Sequence, residues 1–438
     1  AAYLKKYSKH DVEILDAGVE KLGYEGIKKA VKERDPDVVG IYASCFTIYD
    51  SYQAVKASKE AKDNVRIVLG GPHVDIYPIE SLALSEVDFI VMGEGEATLA
   101  ELLNYLENKG TQLSEIEGIG YKKNGQSFIA TRRPYHPSLD ALPFPARHLT
   151  PFKKYYSLIG KNEISTTIMA SRGCPSNCNF CHIPYGRSIR MRSPSNVCDE
   201  LEECVAMGIK EFFFFDENFT INRKRTIALC EEIVKRGINI YFDVRSRVNT
   251  VDEEVCLNLK KAGCERIQFG VESGSPRILE AMNKRISLEL VEKTFKIAKR
   301  AGLTTYADFM VGYPGETKED IEMTMELAER LEVGFVQYGI TMLFPQTKIY
   351  NDALQKGSLK EDFWRNVAKD PTAEVSAPLA SESFNKEELE EMLRTAYSRF
   401  YFRPRYIFRR LLSVNSLLEF KRQAGAGLHV MRKTLRLH

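Results

Sequence analysis

Short apolar runs recur along most of this chain, and each is followed by a longer stretch with apolar positions three and four apart. That is the signature of strands alternating with amphipathic helices. In the first third, strands are predicted at 12–16, 38–43, 65–69 and 89–92, and helices at 26–33, 51–62 and from Gly95 to Asn108. Residues 1–7 read as the end of a helix. Such alternation builds a Rossmann-like, doubly wound parallel sheet. A sheet of this kind opens on a strand, so a first strand is expected upstream of this sequence. Segments 118–123 and 126–132 flank Asn124-Gly125, a strong hairpin signal. The proline-rich 142–147 then reads as an extended linker.

The alternation resumes after residue 160. Strands are predicted at 164–170, 211–215, 238–244, 266–271, 305–311 and 334–343, with helices at 197–207, 224–236, 253–262, 276–282, 288–301 and 318–331. Six successive β/α units wind right-handedly into an open (β/α)6 partial TIM barrel rather than a closed eight-unit one. The expected organisation is a Rossmann-like domain at 1–134, a linker at 135–160, the partial barrel at 161–350 and a helical, basic C-terminal extension at 351–438.

Composition narrows the class. A net charge of +2 on 438 residues gives no general electrostatic attraction for nucleic acid. No run of eighteen apolar residues suggests a spanning helix, no signal peptide is visible, and nine cysteines without a framework pattern fit a reducing compartment. A cytoplasmic location is therefore expected. Cys45, Cys198, Cys204, Cys230, Cys256 and Cys264 have no ligand spacing and read as small buried side chains. The last 48 residues hold eleven Lys or Arg against two Glu, interleaved with aromatics. They read as a helical cap whose arginines stay solvated, as a segment lying against an anionic membrane surface, or as a contact for a macromolecular substrate.

The candidate chemistry centres on Ser171-Arg172-Gly173-Cys174-Pro175-Ser176-Asn177-Cys178-Asn179-Phe180-Cys181-His182, directly after the predicted strand 164–170. Cys174, Cys178 and Cys181 stand at C-x3-C-x2-C. Thiolates hold iron–sulfur clusters, and three of them leave one iron of a [4Fe–4S] cluster open. The competing reading is a structural zinc site short of one ligand. The stretch resembles the cluster loop of the radical SAM superfamily. That resemblance implies a [4Fe–4S] cluster on Cys174, Cys178 and Cys181, with S-adenosylmethionine on the open iron beside Phe180. One-electron cleavage would then give a 5′-deoxyadenosyl radical, and an external one-electron reductant is implied as a partner.

Barrel chemistry collects at the carboxyl ends of strands. Asp216-Glu217 stands where the family grips the amino group of S-adenosylmethionine, in place of the commoner Gly-Gly-Glu; either carboxylate could serve. Asp243, Arg245 and Arg247 share one strand face by their spacing. Either arginine suits the carboxylate of S-adenosylmethionine or a substrate anion, and an ion pair with Asp243 is the structural alternative. Gly270-Val271-Glu272-Ser273 resembles the family's ribose-binding segment, through Glu272 or Ser273. Asp308 and Gly312-Tyr313-Pro314-Gly315-Glu316-Thr317 follow at the fifth end. They resemble the loop under the adenine, with Glu316 expected in the first turn of the next helix.

In the first domain the ends are Ser44 and Thr47, then Gly70-Gly71-Pro72-His73, then Gly93-Glu94-Gly95-Glu96. Ligands of open α/β sheets bind at such ends, and no G-x-G-x-x-G points to a nicotinamide. Placed before a cluster loop, these segments are similar to the cobalamin domain of cobalamin-dependent radical SAM proteins. The resemblance implies cobalamin contacts from Ser44, Thr47, Gly70, Gly71, His73, Gly93, Glu94 and Gly95. No D-x-H-x-x-G supplies an axial histidine, and His73 is expected to cap a turn or touch the corrin edge. Methylthiotransferase relatives carry three further cysteines in this position; here there is only Cys45. The implied activity is methylation of an unactivated carbon on a small-molecule, lipid or peptide substrate. The alternatives are oxidative cyclisation, ring contraction or lipid modification within the family, and a cobalamin/iron–sulfur sensor outside enzymology.

Overall fold

Pairing turns the expected strands into two main sheets in the computed structural model, which describes residues 1–110, 112–413, 422 and 425. Contacts divide the chain into two units. One is Ala1–Pro151 with Phe344–Pro378; the other is Phe152–Leu343 with the described residues from Leu379 onward. The division is not linear along the chain: 344–378, expected in the barrel end and the C-terminal extension, pack with the first unit. Asp362 accepts from the hydroxyls of Tyr77 (3.2 Å) and Tyr350 (2.7 Å), Arg365 meets Glu80 at 3.2 Å, and Phe344 packs on Phe46.

The first unit holds β1 (Val38–Tyr42), β2 (Arg66–Gly70), β3 (Phe89–Val91), β4 (Ile119–Lys123) and β5 (Gln126–Ile129), in that spatial order. β1, β2 and β3 are parallel. The hairpin around Asn124 and Gly125, both at positive φ, joins the same sheet antiparallel to β3. The sheet is thus mixed, where the sequence suggested a parallel one. Ile67, Leu69 and Ile90 fill its core. The strand expected at 12–16 does not form. A strand exists only through its ladder, no described segment pairs with 12–16, and Asp16 instead accepts the Val19 N–H at 3.0 Å in a turn.

The second unit holds β6 (Ser165–Ile168), β7 (Ser171–Arg172), β8 (Arg190–Met191), β9 (Glu211–Phe214), β10 (Tyr241–Ser246), β11 (Cys264–Glu272), β12 (Thr304–Val311) and β13 (Phe335–Ile340). Six of them form one parallel sheet in the order β13-β12-β11-β10-β9-β6. This is the open partial barrel the alternation predicts. Period-2 geometry explains its phenylalanine run. Phe212 and Phe214 are buried in the core with Val197, Leu201 and Leu229, while alternate Phe215 stays 50% exposed. β10 begins and ends later than expected, so Arg245 lies within the strand.

An open sheet leaves unpaired edges, which proteins cover. The helix Lys386–Tyr401 covers β13 with two tyrosines. Tyr397 Oη accepts the Tyr338 N–H (3.0 Å) and donates to its carbonyl (3.1 Å); Tyr401 Oη does the same at Val336, at 3.1 and 2.9 Å. The following helix, Pro404–Ser413, is tied to the start of β13 through Tyr406 Oη to the Gly334 carbonyl (2.9 Å) and Arg409 to that of Val333 (2.9 Å). These basic, aromatic residues therefore cap the barrel as far as Arg409. Most of the remaining basic tail lies outside the described residues. Among the described residues, no helix is long and apolar enough to cross a membrane.

Candidate active site

The cysteine loop is fixed at its base by a buried carboxylate. Asp216 accepts the Ala170 N–H at 2.8 Å and the Ser171 hydroxyl, while Arg225 donates to the Ala170 carbonyl at 2.9 Å. β7 and β8 then close the loop as a two-residue antiparallel ladder, which no sequence pattern announced. Gly173 sits at φ +93, where its backbone passes directly against the Ser188 carbonyl and a Cβ has no room. The far side docks on the turn at 281–284. Asn179 donates from its backbone to Met282 (3.0 Å) and from its side chain to Ala281 (2.7 Å), and Asn283 donates to Asn177 (2.7 Å).

This places the three thiols together. Cys174 and Cys178 are buried, Cys181 is half-buried, and none is in a disulfide. Burial pushes the Cys181 thiol up to about 11. The charges of Cys178 and Cys174 push the same way, and Lys284 and Arg187 oppose them. Arg247 Nη1 donates to Cys178 Sγ at 3.2 Å and Nη2 to the Lys284 carbonyl. Lys284 Nζ lies 5.9 Å from the Phe180 ring centre. Among the described residues, no three His, Cys, Asp or Glu stand close enough for a single metal ion. Three unbridged sulfurs under nearby cations suit a multi-iron cluster, in which each thiolate takes its own iron and the positive groups stabilise the anionic form.

The expected carboxylates separate by environment. Asp216 is fully enclosed and fixes the loop; burial raises its pKa against its hydrogen bonds. Glu217 is half-buried, and its Oε2 is buried without a hydrogen-bond partner. Burial raises its pKa as well. Glu272, at the end of β11 with φ +76, pairs with buried Lys284 at 2.7 Å. Ser273 is fully buried, with its oxygen 3.2 Å from Thr324 Oγ1. Lower in the lumen, Asp308 accepts from Gln268 Nε2 at 2.9 and 2.8 Å, and burial lifts its pKa to about 6. Asp243 binds Arg266 at 2.7 Å; burial lifts it to about 6 despite that cation. Glu316 lies before the helix Lys318–Arg330, not in its first turn. It accepts from the Gly312 and Tyr313 N–H groups at 2.6 and 3.2 Å, and burial raises it to about 7. The structure thus gathers Cys174, Cys178, Cys181, Phe180, Arg247 and Glu272, sets Arg245 and Asp308 deeper, and leaves Asp216 and Ser273 in packed surroundings. Sequence reasoning missed Lys284 and Gln268, since each acquires a role only from a residue on another element.

In the first unit, the three predicted loops follow adjacent parallel strands. Ser44 and Thr47 form a turn, with the Ser44 N–H donating to Thr47 Oγ1 at 3.0 Å. Gly70 ends β2. Gly71 has φ +103, and a Cβ there would fall 2.6 Å from the Ala43 carbonyl oxygen. Gly93 donates to Asp75 at 2.6 Å, Glu94 accepts the His136 N–H at 2.7 Å, and Gly95 opens the helix Gly95–Leu106. Beside these loops, Tyr42 and Phe46 remain 67% and 73% exposed. A glycine-lined strand end next to exposed aromatics suits a large, partly apolar ligand such as a corrin. His73 is 0% exposed: its Nδ1 lies 3.6 Å from Cys45 Sγ, and its ring packs on Tyr77. Burial lowers its pKa to about 4. The histidine is part of the core rather than a ligand presented outward.

Comparison with known proteins agrees with this division. The radical SAM superfamily profile matches residues 168–328, and the B12 binding domain profile matches residues 1–103. An uncharacterized methyltransferase of Pyrococcus horikoshii is 37% identical over 407 residues, 91% of this chain and 86% of the relative. The anaerobic magnesium-protoporphyrin IX monomethyl ester cyclase of Rubrivivax gelatinosus is 27% identical, over 93% of this chain and 73% of the relative. The radical S-adenosylmethionine methyltransferase TsrM of Kitasatospora setae, solved with cobalamin and a [4Fe–4S] cluster, shares the fold. Its TM-score is 0.68 at 20% identity, over 81% of this chain and 74% of that one. The sheet order, the three-thiol loop and these matches define an enzyme of the radical SAM class with a B12-binding segment. The chain belongs to the cobalamin-dependent radical SAM family, whose cofactors are a [4Fe–4S] cluster, S-adenosylmethionine and cobalamin.

Proposed function

We propose that this enzyme methylates an unactivated carbon of a small-molecule substrate. The observation that carries the proposal is the joining, in one chain, of a B12-binding segment to a three-thiol loop, in a sequence 37% identical to a relative named as a methyltransferase. Bound together, the cofactors supply one-electron cleavage of S-adenosylmethionine, a 5′-deoxyadenosyl radical for hydrogen abstraction, and a methyl group from cobalt.

The chain's own residues bind and orient. Cys174, Cys178 and Cys181 hold the cluster, with Phe180 beside them. Glu217, through its unpartnered oxygen, takes the ammonium of S-adenosylmethionine, and Asp216 positions the loop. Arg247, already at the Cys178 sulfur, takes the carboxylate, and Glu272 rather than enclosed Ser273 meets the ribose. Ser44, Thr47, Gly70, Gly71, Gly93, Glu94 and Gly95 cradle cobalamin from its own unit, with His73 supporting that surface from below. An external one-electron reductant is required. Only the charge of the C-terminal region supports a peripheral membrane contact.

Anaerobically reconstituted protein, reduced in the presence of S-adenosylmethionine, should release deoxyadenosine. Given isotopically methyl-labelled S-adenosylmethionine and a metabolite extract, it should yield a labelled product heavier by one methylene. The similarity to the cyclase favours a second reading, oxidative ring closure, which gives an unlabelled product that has lost hydrogens. Absence of deoxyadenosine from cluster-loaded protein would leave only the sensor.

A further inference from the structure

Three arginines, Arg266, Arg245 and Arg247, face the barrel lumen, and their surroundings differ from one end to the other. Arg266, at the lower end, is neutralised: it meets Glu211 at 3.2 Å and Asp243 at 2.7 Å. Glu211 is also held by the N–H groups of Lys161 (2.9 Å) and Asn162 (2.8 Å). That cluster is structural. Arg247, at the upper end, stands at the cysteine loop, donating to Cys178 Sγ and to the Lys284 carbonyl. Arg245, between them, has neither kind of partner. Among the described residues no carboxylate lies within 4 Å of it, and its one polar contact is a long 3.4 Å approach to Gln268 Oε1. Its guanidinium is exposed and stands 4.9 and 5.1 Å from the ring centres of Phe213 and Phe215.

The neighbours fix what such a cation can do. Phe213 and Phe215 hold the guanidinium by cation–π attraction without neutralising it. Gln268 is itself oriented, because its amide donates to both oxygens of Asp308 and leaves Oε1 toward Arg245. The charge of Arg245 favours the ionised form of buried Asp308, but it is the glutamine amide that binds that carboxylate. A cavity of about 170 Å³ is lined by Phe213, Gln268 and Tyr306 together with the neutralised cluster of Arg266, Asp243 and Glu211. A planar cation with free donors, set against exposed aromatic surface, matches an oxyanion attached to an apolar body. Arginine binds carboxylate and phosphate through the same paired N–H geometry.

We infer that Arg245 recognises the substrate, and that the substrate is an organic acid whose carboxylate or phosphate enters the lumen while its apolar or aromatic skeleton rests on Phe213 and Phe215. This rests on the proposed function and names the substrate class for that site. It also divides the two arginines: Arg247 serves S-adenosylmethionine, and Arg245 serves the substrate.

The test uses the full chain, anaerobically reconstituted and loaded with S-adenosylmethionine, and three probes: 2-naphthoate, 2-naphthyl phosphate and the neutral 2-naphthamide. Binding is followed by calorimetry. Wild-type protein should bind at least one anionic probe about tenfold or more tightly than the amide. Whether naphthoate or naphthyl phosphate binds better tells which oxyanion the site takes. Arg245→Met should erase the preference, and Arg245→Lys should retain part of it. Iron and sulfide content identifies any variant that fails to fold; the wild-type comparison and Arg245→Lys then decide. Equal binding of charged and neutral probes, or no binding of any, overturns the inference, as does a preference that survives in folded Arg245→Met. Those outcomes leave the functional reading standing if the same wild-type preparation releases deoxyadenosine. Absence of iron or of deoxyadenosine from wild type sinks the functional reading instead.

Discussion

The cysteine loop of the barrel unit and the glycine loops of the B12-binding unit follow strand ends alike, yet they are held by opposite means. The cysteine loop is restrained through side chains: Asp216, Arg225, Asn283 and Arg247 each bond it from another element, and its own Asn179 reaches out to the Ala281 carbonyl. The B12-binding loops are shaped mainly by backbone. Gly71 approaches the Ala43 carbonyl more closely than any Cβ allows, and Gly93 turns at φ +72. A small, highly charged cluster needs its ligands at fixed points, and cross-links supply that. A large cofactor needs room, and missing side chains supply it.

The largest effect should come from the cross-linked loop. Cys178→Ala should abolish cluster absorbance and all deoxyadenosine release, and release by that variant contradicts the ligand assignment. Next is the buried pair beside it. Lys284→Met strands Glu272, which is 8% exposed, and should cost the barrel unit about 3–5 kcal/mol. A denaturant melt followed in both units should show the barrel transition moving while that of the B12-binding unit stays. The reciprocal change is Gly71→Val. It should lower corrin absorbance after cobalamin loading while iron and sulfide stay at wild-type levels. Parallel loss of both cofactors would show that the two loops are not independently shaped.

The smallest effect is a difference of sign with pH. His73 is held at about 4, below its usual 6.5, so the folded B12-binding unit binds fewer protons than the unfolded chain between these values. Its stability falls as pH drops through that window. Asp243 and Asp308 are held at about 6, above 3.8, so the folded barrel binds more protons there. Their contribution weakens as pH rises from 4 to 6. Hydrogen exchange at pH 4.5 and 6.5, corrected for intrinsic rates, should show His73→Asn flattening the response of the first unit and Asp308→Asn that of the second. Matching slopes in both units would remove this part of the contrast.

Elements came through the sequence better than contacts did. The six barrel strands and the helices between them were predictable because each buries one face, and burial writes a period into the chain. The strand at 12–16 was misjudged for the same reason: its pattern is right, but no ladder partner appears among the described segments. The segment 344–378 carried no sign of packing with the first unit, because its anchors, Asp362 with Tyr77, Arg365 with Glu80 and Phe344 with Phe46, each join residues far apart in sequence. At the site, the thiol spacing stood out at once. The choices between Asp216 and Glu217, Glu272 and Ser273, and Arg245 and Arg247 stayed open, because neighbours in sequence differ only in what encloses them.

By itself, then, the sequence determined the kind of protein: alternating periods gave the layers, and three cysteines on a strand-end loop gave the chemistry. Both are local properties, set by spacing along the chain. The tertiary structure decided which of two like residues is free to act. Burial, charge pairing and the cover of a neighbouring strand or helix depend on residues far apart in sequence. The three lumen arginines, alike by type, differ only in the partners the fold has given them.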